Sequence, residues 1–115
     1  MDIPVFTDEG KYQKIPLPLP PANIYKVLHG QVLETALELA NKMSNSKLAK
    51  MLGKHHYYIT YVVEKPASLH FAPQTATQVW RLLMEEAAAT GNPMQVSRLK
   101  EFLENSLLAY EKEKA

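Results

Sequence analysis

The sequence predicts an all-α fold of about five helices, preceded by an extended proline-rich arm. Two observations support this fold class. Apolar residues recur at helical spacing in three long stretches, near 23–43, 73–89 and 94–111. Turn-forming residues separate the stretches, most clearly the TGNP sequence at 90–93, where glycine suits a C-cap and proline stops a helix. Two shorter helices are expected between the first and second stretches.

The composition fits one globular domain and excludes several classes of protein. A chain of 115 residues can bury a modest single core. It has no cysteine, which excludes disulfides and thiolate metal sites and favours a reducing cytoplasm. No run of about 18 apolar residues is present, so no membrane contact is expected. The acidic N-terminus lacks the basic-then-apolar layout of a signal peptide.

The arm, residues 1–22, holds five of the eight prolines. Each proline removes a backbone donor and restricts the residue before it, so a helix is excluded. We expect polyproline II or an extended segment. Because Ile15, Leu17 and Leu19 alternate with prolines, the arm should pack on its own domain or on a partner subunit. A docking motif for another protein partner is the alternative.

The first long helix should begin at Asn23, a good N-cap, and run to about Met43. Its apolar residues cover more of the circumference than the stripe of a surface helix, which predicts a central position. A second helix is expected at about 46–52, a turn at 53–55 and a third helix at about 56–63. The third is rich in tyrosine, isoleucine and valine, which taken alone would predict a strand. The flanking pattern overrides this, since intrinsic propensity is a weak prior.

Residues 45–65 are the most informative segment, because their spacing suits two short helices that cross at a tight turn. Ala49 provides a small contact residue, and Gly53 tolerates the positive φ of the turn. Ile59 is expected to point from the later of the two short helices back at the earlier one. The expected core of this helix-turn-helix is Leu48, Ala49, Leu52, Gly53, Ile59 and Val62.

The chain should end with a fourth helix from Pro73 or Gln74 to Ala89 and a fifth from Met94 to Glu111. We therefore divide the chain into the arm (1–22), a helix-turn-helix domain (23–92) and a C-terminal helix (93–115). The apolar stripe of the last helix is as consistent with dimerisation as with packing inside one chain. The proposed dimerisation residues are Val96, Leu99, Phe102, Leu103 and Tyr110.

Positive charge is concentrated on the helix-turn-helix. Residues 45–65 carry four lysines against one glutamate, whereas the net charge of the whole chain is only +1. A local basic excess is what phosphate contact requires. Because the excess is small, we expect affinity to depend on a homodimer.

Residues 31–84 resemble the Cro/repressor-type (XRE-like) helix-turn-helix domain. The resemblance rests on the Leu-Ala pair at 48–49, the Leu-Gly pair at 52–53, Ile59, Val62, and the QTA sequence at 74–76 that opens the next helix. It implies a transcriptional regulator, commonly a dimeric repressor on a palindromic site in double-stranded DNA. By position, the implied base-contacting residues are His55, His56, Tyr57, Thr60 and Tyr61.

Phosphate contacts are expected from the start of the second helix and from lysines around the turn. The expected residues are Ser46, Lys47, Lys54 and Lys65. The third helix contains no arginine, asparagine or glutamine, which are the strongest base readers. Readout would therefore depend on histidine donors, tyrosine hydroxyls and apolar contact with thymine methyls.

Other functions are less well supported by the sequence. His55 and His56 are adjacent, so on a helix their side chains point about 100° apart and do not suit a metal. No histidine has a paired nucleophile or carboxylate at suggestive spacing, so neither an enzyme nor a cofactor is expected. The main alternative is a protein-interaction adaptor or inhibitor built on the same helix-turn-helix scaffold.

Overall fold

A computed structural model describes residues 2–6, 12–64, 71–90 and 92–114 of the chain. It contains five α-helices, which confirms the predicted helical fold class. They are α1 (Gly30–Leu39), α2 (Asn45–Met51), α3 (Tyr58–Glu64), α4 (Pro73–Ala88) and α5 (Pro93–Lys114). A 3-10 turn at Ile24–Lys26 and two strands, β1 (Asp2–Phe6) and β2 (Tyr12–Pro16), precede them.

The arm is not one extended segment, as the sequence suggested, because part of it pairs with itself. β1 and β2 are antiparallel, with Asp2 opposite Pro16 and Phe6 opposite Tyr12. The described pairing ends with Pro16 opposite Asp2. Leu17 is buried, and the Trp80 indole donates a hydrogen bond of 3.1 Å to the Pro18 carbonyl. This stretch of the arm therefore packs on its own domain.

The bounds predicted for the first helix, 23–43, are wrong at both ends. The α-helix begins only at Gly30, whose φ of +56° interrupts any helix entering from the 3-10 turn. It ends at Leu39, because Asn41 and Lys42 adopt φ values of 60° and 55°. Asn23 precedes the 3-10 turn and makes no side-chain cap.

The third helix begins at Tyr58, two residues later than predicted, so His55 and His56 lie in the turn. The turn is held by backbone bonds from Lys54 N–H to the Ala49 carbonyl (2.9 Å) and from Tyr58 N–H to the His55 carbonyl (2.9 Å). Despite its strand-like composition, the segment after the turn is helical. Burial of Ile59 and Val62, three residues apart, explains why tertiary packing overrides the local preference.

The core is built around α4, which packs against α5, α1, α2 and the 3-10 turn. Trp80, Leu83 and Met84 of α4 are almost completely buried. Each such side chain stabilises the fold by about 1.5–3 kcal/mol relative to its exposed state. Within the described residues, no helix is long and apolar enough to cross a membrane.

α5 completes this core and packs directly against α4 and α1. Val96, Leu99 and Leu103 are buried in the same cluster as the α4 residues. Phe102 and Tyr110 are half-buried and pack against it. Packing inside one chain therefore accounts for the apolar stripe that the sequence offered for dimerisation, and Val96, Leu99 and Leu103 are not accessible to a second copy.

Candidate nucleic-acid interface

The base of the candidate site is the buried contact between α2 and α3. Leu48, Ala49 and Ile59 have no exposed surface, and Val62 is 6% exposed. Leu52, at the end of α2, is half-buried against the same cluster. The five apolar residues predicted as the core of the helix-turn-helix are thus all buried in the hydrophobic core or packed against it.

Gly53 has the conformation that the sequence analysis expected. Its φ is +71°, and a Cβ added there would meet no atom within 4 Å. Its N–H donates to the Lys50 carbonyl at 3.0 Å, which closes the end of α2. Glycine is therefore needed for the backbone conformation alone, not for space.

Three rings follow the turn on the surface, and we call His55, His56 and Tyr57 the aromatic turn. The ring centroids are 4.2 Å apart for His55 and His56, and 4.0 Å apart for His56 and Tyr57. The Tyr57 N–H donates to Nδ1 of His55 at 3.3 Å. All three side chains are exposed. The aromatic turn therefore presents ring faces, ring nitrogens and a phenol hydroxyl in one small area.

Of the two base contacts predicted on α3 itself, one faces outward and one does not. Tyr61 is 60% exposed and lies one helical turn beyond Tyr57, on the same side. Thr60 is half-buried, and its hydroxyl accepts a hydrogen bond of 3.0 Å from the Asn45 side-chain amide. Thr60 is therefore engaged in joining α3 to α2, away from the aromatic turn.

The residues expected to hold phosphates differ in their surroundings. Ser46 is exposed in the first turn of α2. Lys47 is paired with Glu86, its Nζ lying 2.8 Å from one carboxylate oxygen. Lys54 is exposed, with Nζ 5.6 Å from the centroid of the Tyr58 ring. Lys65 lies outside the described residues.

Two residues of α2 that the sequence analysis did not assign also belong to this surface. Lys50 is exposed in the last turn of α2, and Met51 beside it is 46% exposed. Lys50 stands three residues after Lys47 and four before Lys54. The spacing from Lys47 was the available signal for Lys50, since residues three apart share a helix face. We call Lys50, Lys54 and the aromatic turn the basic aromatic surface.

One side of α3 borders an acidic groove. A groove of about 510 Å³ opens beside Thr60, between α1, the start of α2 and α3. Glu34, Glu38 and Glu64 line it, with Lys42 as the one lysine in the lining. Negative charge on this side leaves the basic aromatic surface as the part of α2 and α3 that suits a polyanion.

No group of three or more metal-ligating side chains is assembled within the described residues. Comparisons of the chain with protein-family models, with curated proteins and with solved structures gave no significant match.

Proposed function

We propose that this chain is a sequence-specific double-stranded DNA-binding protein, a transcriptional regulator that acts in the cytoplasm as a homodimer, most simply as a repressor. The observation that carries the proposal is the basic aromatic surface, held above a buried contact between two short helices. It combines cations for phosphates with ring nitrogens and hydroxyls for base edges. This is the division of contacts that specific binding requires.

The turn, rather than the body of α3, supplies the main base contacts in this proposal. His55, His56 and Tyr57 enter the major groove first, and Tyr61 follows one helical turn on. Lys50 and Lys54 contact phosphates on either side. Two lysines give little affinity alone, so a second copy on an adjacent half-site is part of the proposal.

The test is selection of genomic DNA fragments by the purified protein at moderate salt, followed by sequencing. Recovery of a short inverted repeat supports specific binding, and the spacing of its half-sites supports a two-fold dimer. Recovery of nothing above background contradicts a regulator and favours a protein partner.

Exchange of His56 and Tyr57 for alanine is expected to weaken binding to the selected site. A good base contact contributes about 1–3 kcal/mol of discrimination, so preference for that site over random DNA should fall by at least roughly fivefold. Both side chains are exposed, and the thermal stability should not change. Gel-shift titrations with both duplexes measure the ratio.

Leu108→Ala is the matched control, since Leu108 is an exposed apolar residue on a different helix. It should leave both affinities unchanged. If the double variant retains the full preference for the selected site, the aromatic turn does not read bases.

The second candidate is an adaptor or inhibitor that binds another protein through the same surface. Two observations favour it: Lys47 is neutralised by Glu86, and the exposed Met51, Tyr57 and Tyr61 suit an apolar contact. Salt dependence separates the candidates. A DNA binder loses affinity for random duplex steeply as salt rises, whereas an adaptor has no such binding to lose.

A further inference from the structure

One lysine beside the basic aromatic surface is held by an acid from another part of the fold. Nζ of Lys47, in the first turn of α2, lies 2.8 and 2.9 Å from the two carboxylate oxygens of Glu86. Glu86 is in the last turn of α4, 39 residues away in sequence. The contact therefore depends on the tertiary structure.

The surroundings of Glu86 favour a persistent contact. Its side chain is 19% exposed, whereas that of Lys47 is 49% exposed. Its backbone carbonyl also accepts a hydrogen bond from the Asn41 side-chain amide, which fixes the end of α4 at this place. A carboxylate that is largely shielded from water attracts its partner more strongly than one on an open surface. Lys47 is thus retained by the fold instead of extending into solvent.

The neighbouring lysines are not held in this way. Lys50 lies three residues further along α2, on the face that Lys47 shares, and Lys54 follows in the turn. Among the ion pairs of the described residues, neither Lys50 nor Lys54 has a carboxylate partner. Of Lys47, Lys50 and Lys54, only Lys47 would therefore have to leave a carboxylate before it could bind a DNA phosphate.

We propose that Glu86 competes with DNA phosphate for Lys47 and so lowers the sequence-independent affinity of the interface. This inference rests on the proposed DNA-binding function. Glu86 is a positioning residue that acts through Lys47 and touches no DNA. Because phosphate contacts carry no sequence information, the competition weakens binding to selected and random duplexes by the same factor.

The experiment measures affinity for a selected and a random duplex as a function of salt. It compares the wild type with Glu86→Gln, Lys47→Gln and the double variant. Freeing Lys47 adds one phosphate contact in each subunit and two in the dimer, so Glu86→Gln should steepen the logarithmic salt slope by about 1.8. Its gain in affinity should be about 12-fold larger at 50 mM than at 200 mM salt, with the ratio between duplexes unchanged.

Lys47→Gln alone should keep the wild-type slope, since in the wild type Glu86 already prevents Lys47 from contacting phosphate. The double variant should return the slope of Glu86→Gln to the wild-type value. Glu85→Gln is the matched control, because it removes the same formal charge from the neighbouring residue, which forms no ion pair with Lys47 among the described residues. It should leave the slope unchanged.

Four results would overturn the inference. Equal steepening by Glu85→Gln and Glu86→Gln would mean a general charge effect. A shallower slope for Lys47→Gln would mean that Lys47 already binds phosphate in the wild type. Salt-dependent binding of the wild type with no change in Glu86→Gln would leave the proposed function standing and remove this inference alone. Absence of DNA binding by the wild type would remove both.

Discussion

Individual residues of the turn act in two separate ways, through backbone conformation and through side-chain chemistry. Gly53 contributes only a φ of +71°, since nothing would meet its Cβ. The aromatic turn contributes rings and polar atoms and is exposed, so it contributes little to stability. Stability and recognition therefore depend on different residues within five positions of one another. Single substitutions can separate the two effects.

Gly53→Ala is expected to destabilise the protein by about 1–2 kcal/mol, the usual cost of a left-handed conformation for a residue with a Cβ. Gly53→Asn should cost less, because asparagine adopts this conformation more readily. Urea denaturation of the two variants and the wild type measures the difference. Equal stability of all three would show that the turn does not need a positive φ at this residue.

At the scale of the elements, α2 and α3 are too short to be stable alone. Each has seven residues, well below the length of about 12–15 at which an isolated helix becomes marginally stable. They form because each buries apolar residues against the other and because α2 is capped. The Ser44 hydroxyl accepts a hydrogen bond of 3.0 Å from the Lys47 N–H. The cap also fixes the first turn of α2, from which Lys47 reaches Glu86.

Ser44→Ala should lower the free energy of unfolding by about 1 kcal/mol, through loss of this N-cap. Ser46→Ala is the control in the first turn of the same helix, where the exposed serine is not a cap and alanine is the better helix former. The control should be as stable as the wild type or slightly more so. If both variants lose the same stability, the Ser44 cap is not the cause. Thermal and urea denaturation provide the measurement.

At the scale of the whole molecule, one core joins the three longer helices and the segment after β2. Trp80 lies within it and binds the Pro18 carbonyl, while Leu99 of α5 is completely buried in the same cluster. A single shared core predicts one cooperative unfolding transition. Trp80 is the only tryptophan, so its fluorescence reports on this core without interference.

Trp80 fluorescence and far-UV circular dichroism should therefore give coincident unfolding curves. Leu99→Ala should shift both curves together, with a loss of about 2–5 kcal/mol typical of a large-to-small core substitution. Leu108→Ala, at an exposed position of α5, should change stability by less than about 0.5 kcal/mol. Loss of helical signal before any change in fluorescence would mean that part of the helical structure unfolds separately from the core around Trp80.

Local sequence patterns were enough to predict the helical class, the long α4 and α5, and the glycine turn between α2 and α3. These features follow from local information: the spacing of apolar residues, the stop at 90–93 and the tolerance of Gly53 for a positive φ. The buried positions of Leu48, Ile59 and Val62 were predictable for the same reason.

The ends of α1, the start of α3 and the contacts of individual surface residues could not be predicted in this way, because they depend on packing between distant parts of the chain. Asn41 and Lys42 end α1 with positive φ values that non-glycine residues rarely adopt, so no local pattern predicted that end. Thr60 bonds to Asn45, which is 15 residues away in sequence, and Lys47 bonds to Glu86, which is 39 residues away. The spacing of apolar residues in α5 was equally consistent with packing inside one chain and with dimerisation. The spacing of apolar residues indicates which side chains are buried, whereas the folded structure is needed to show which residues they pack against.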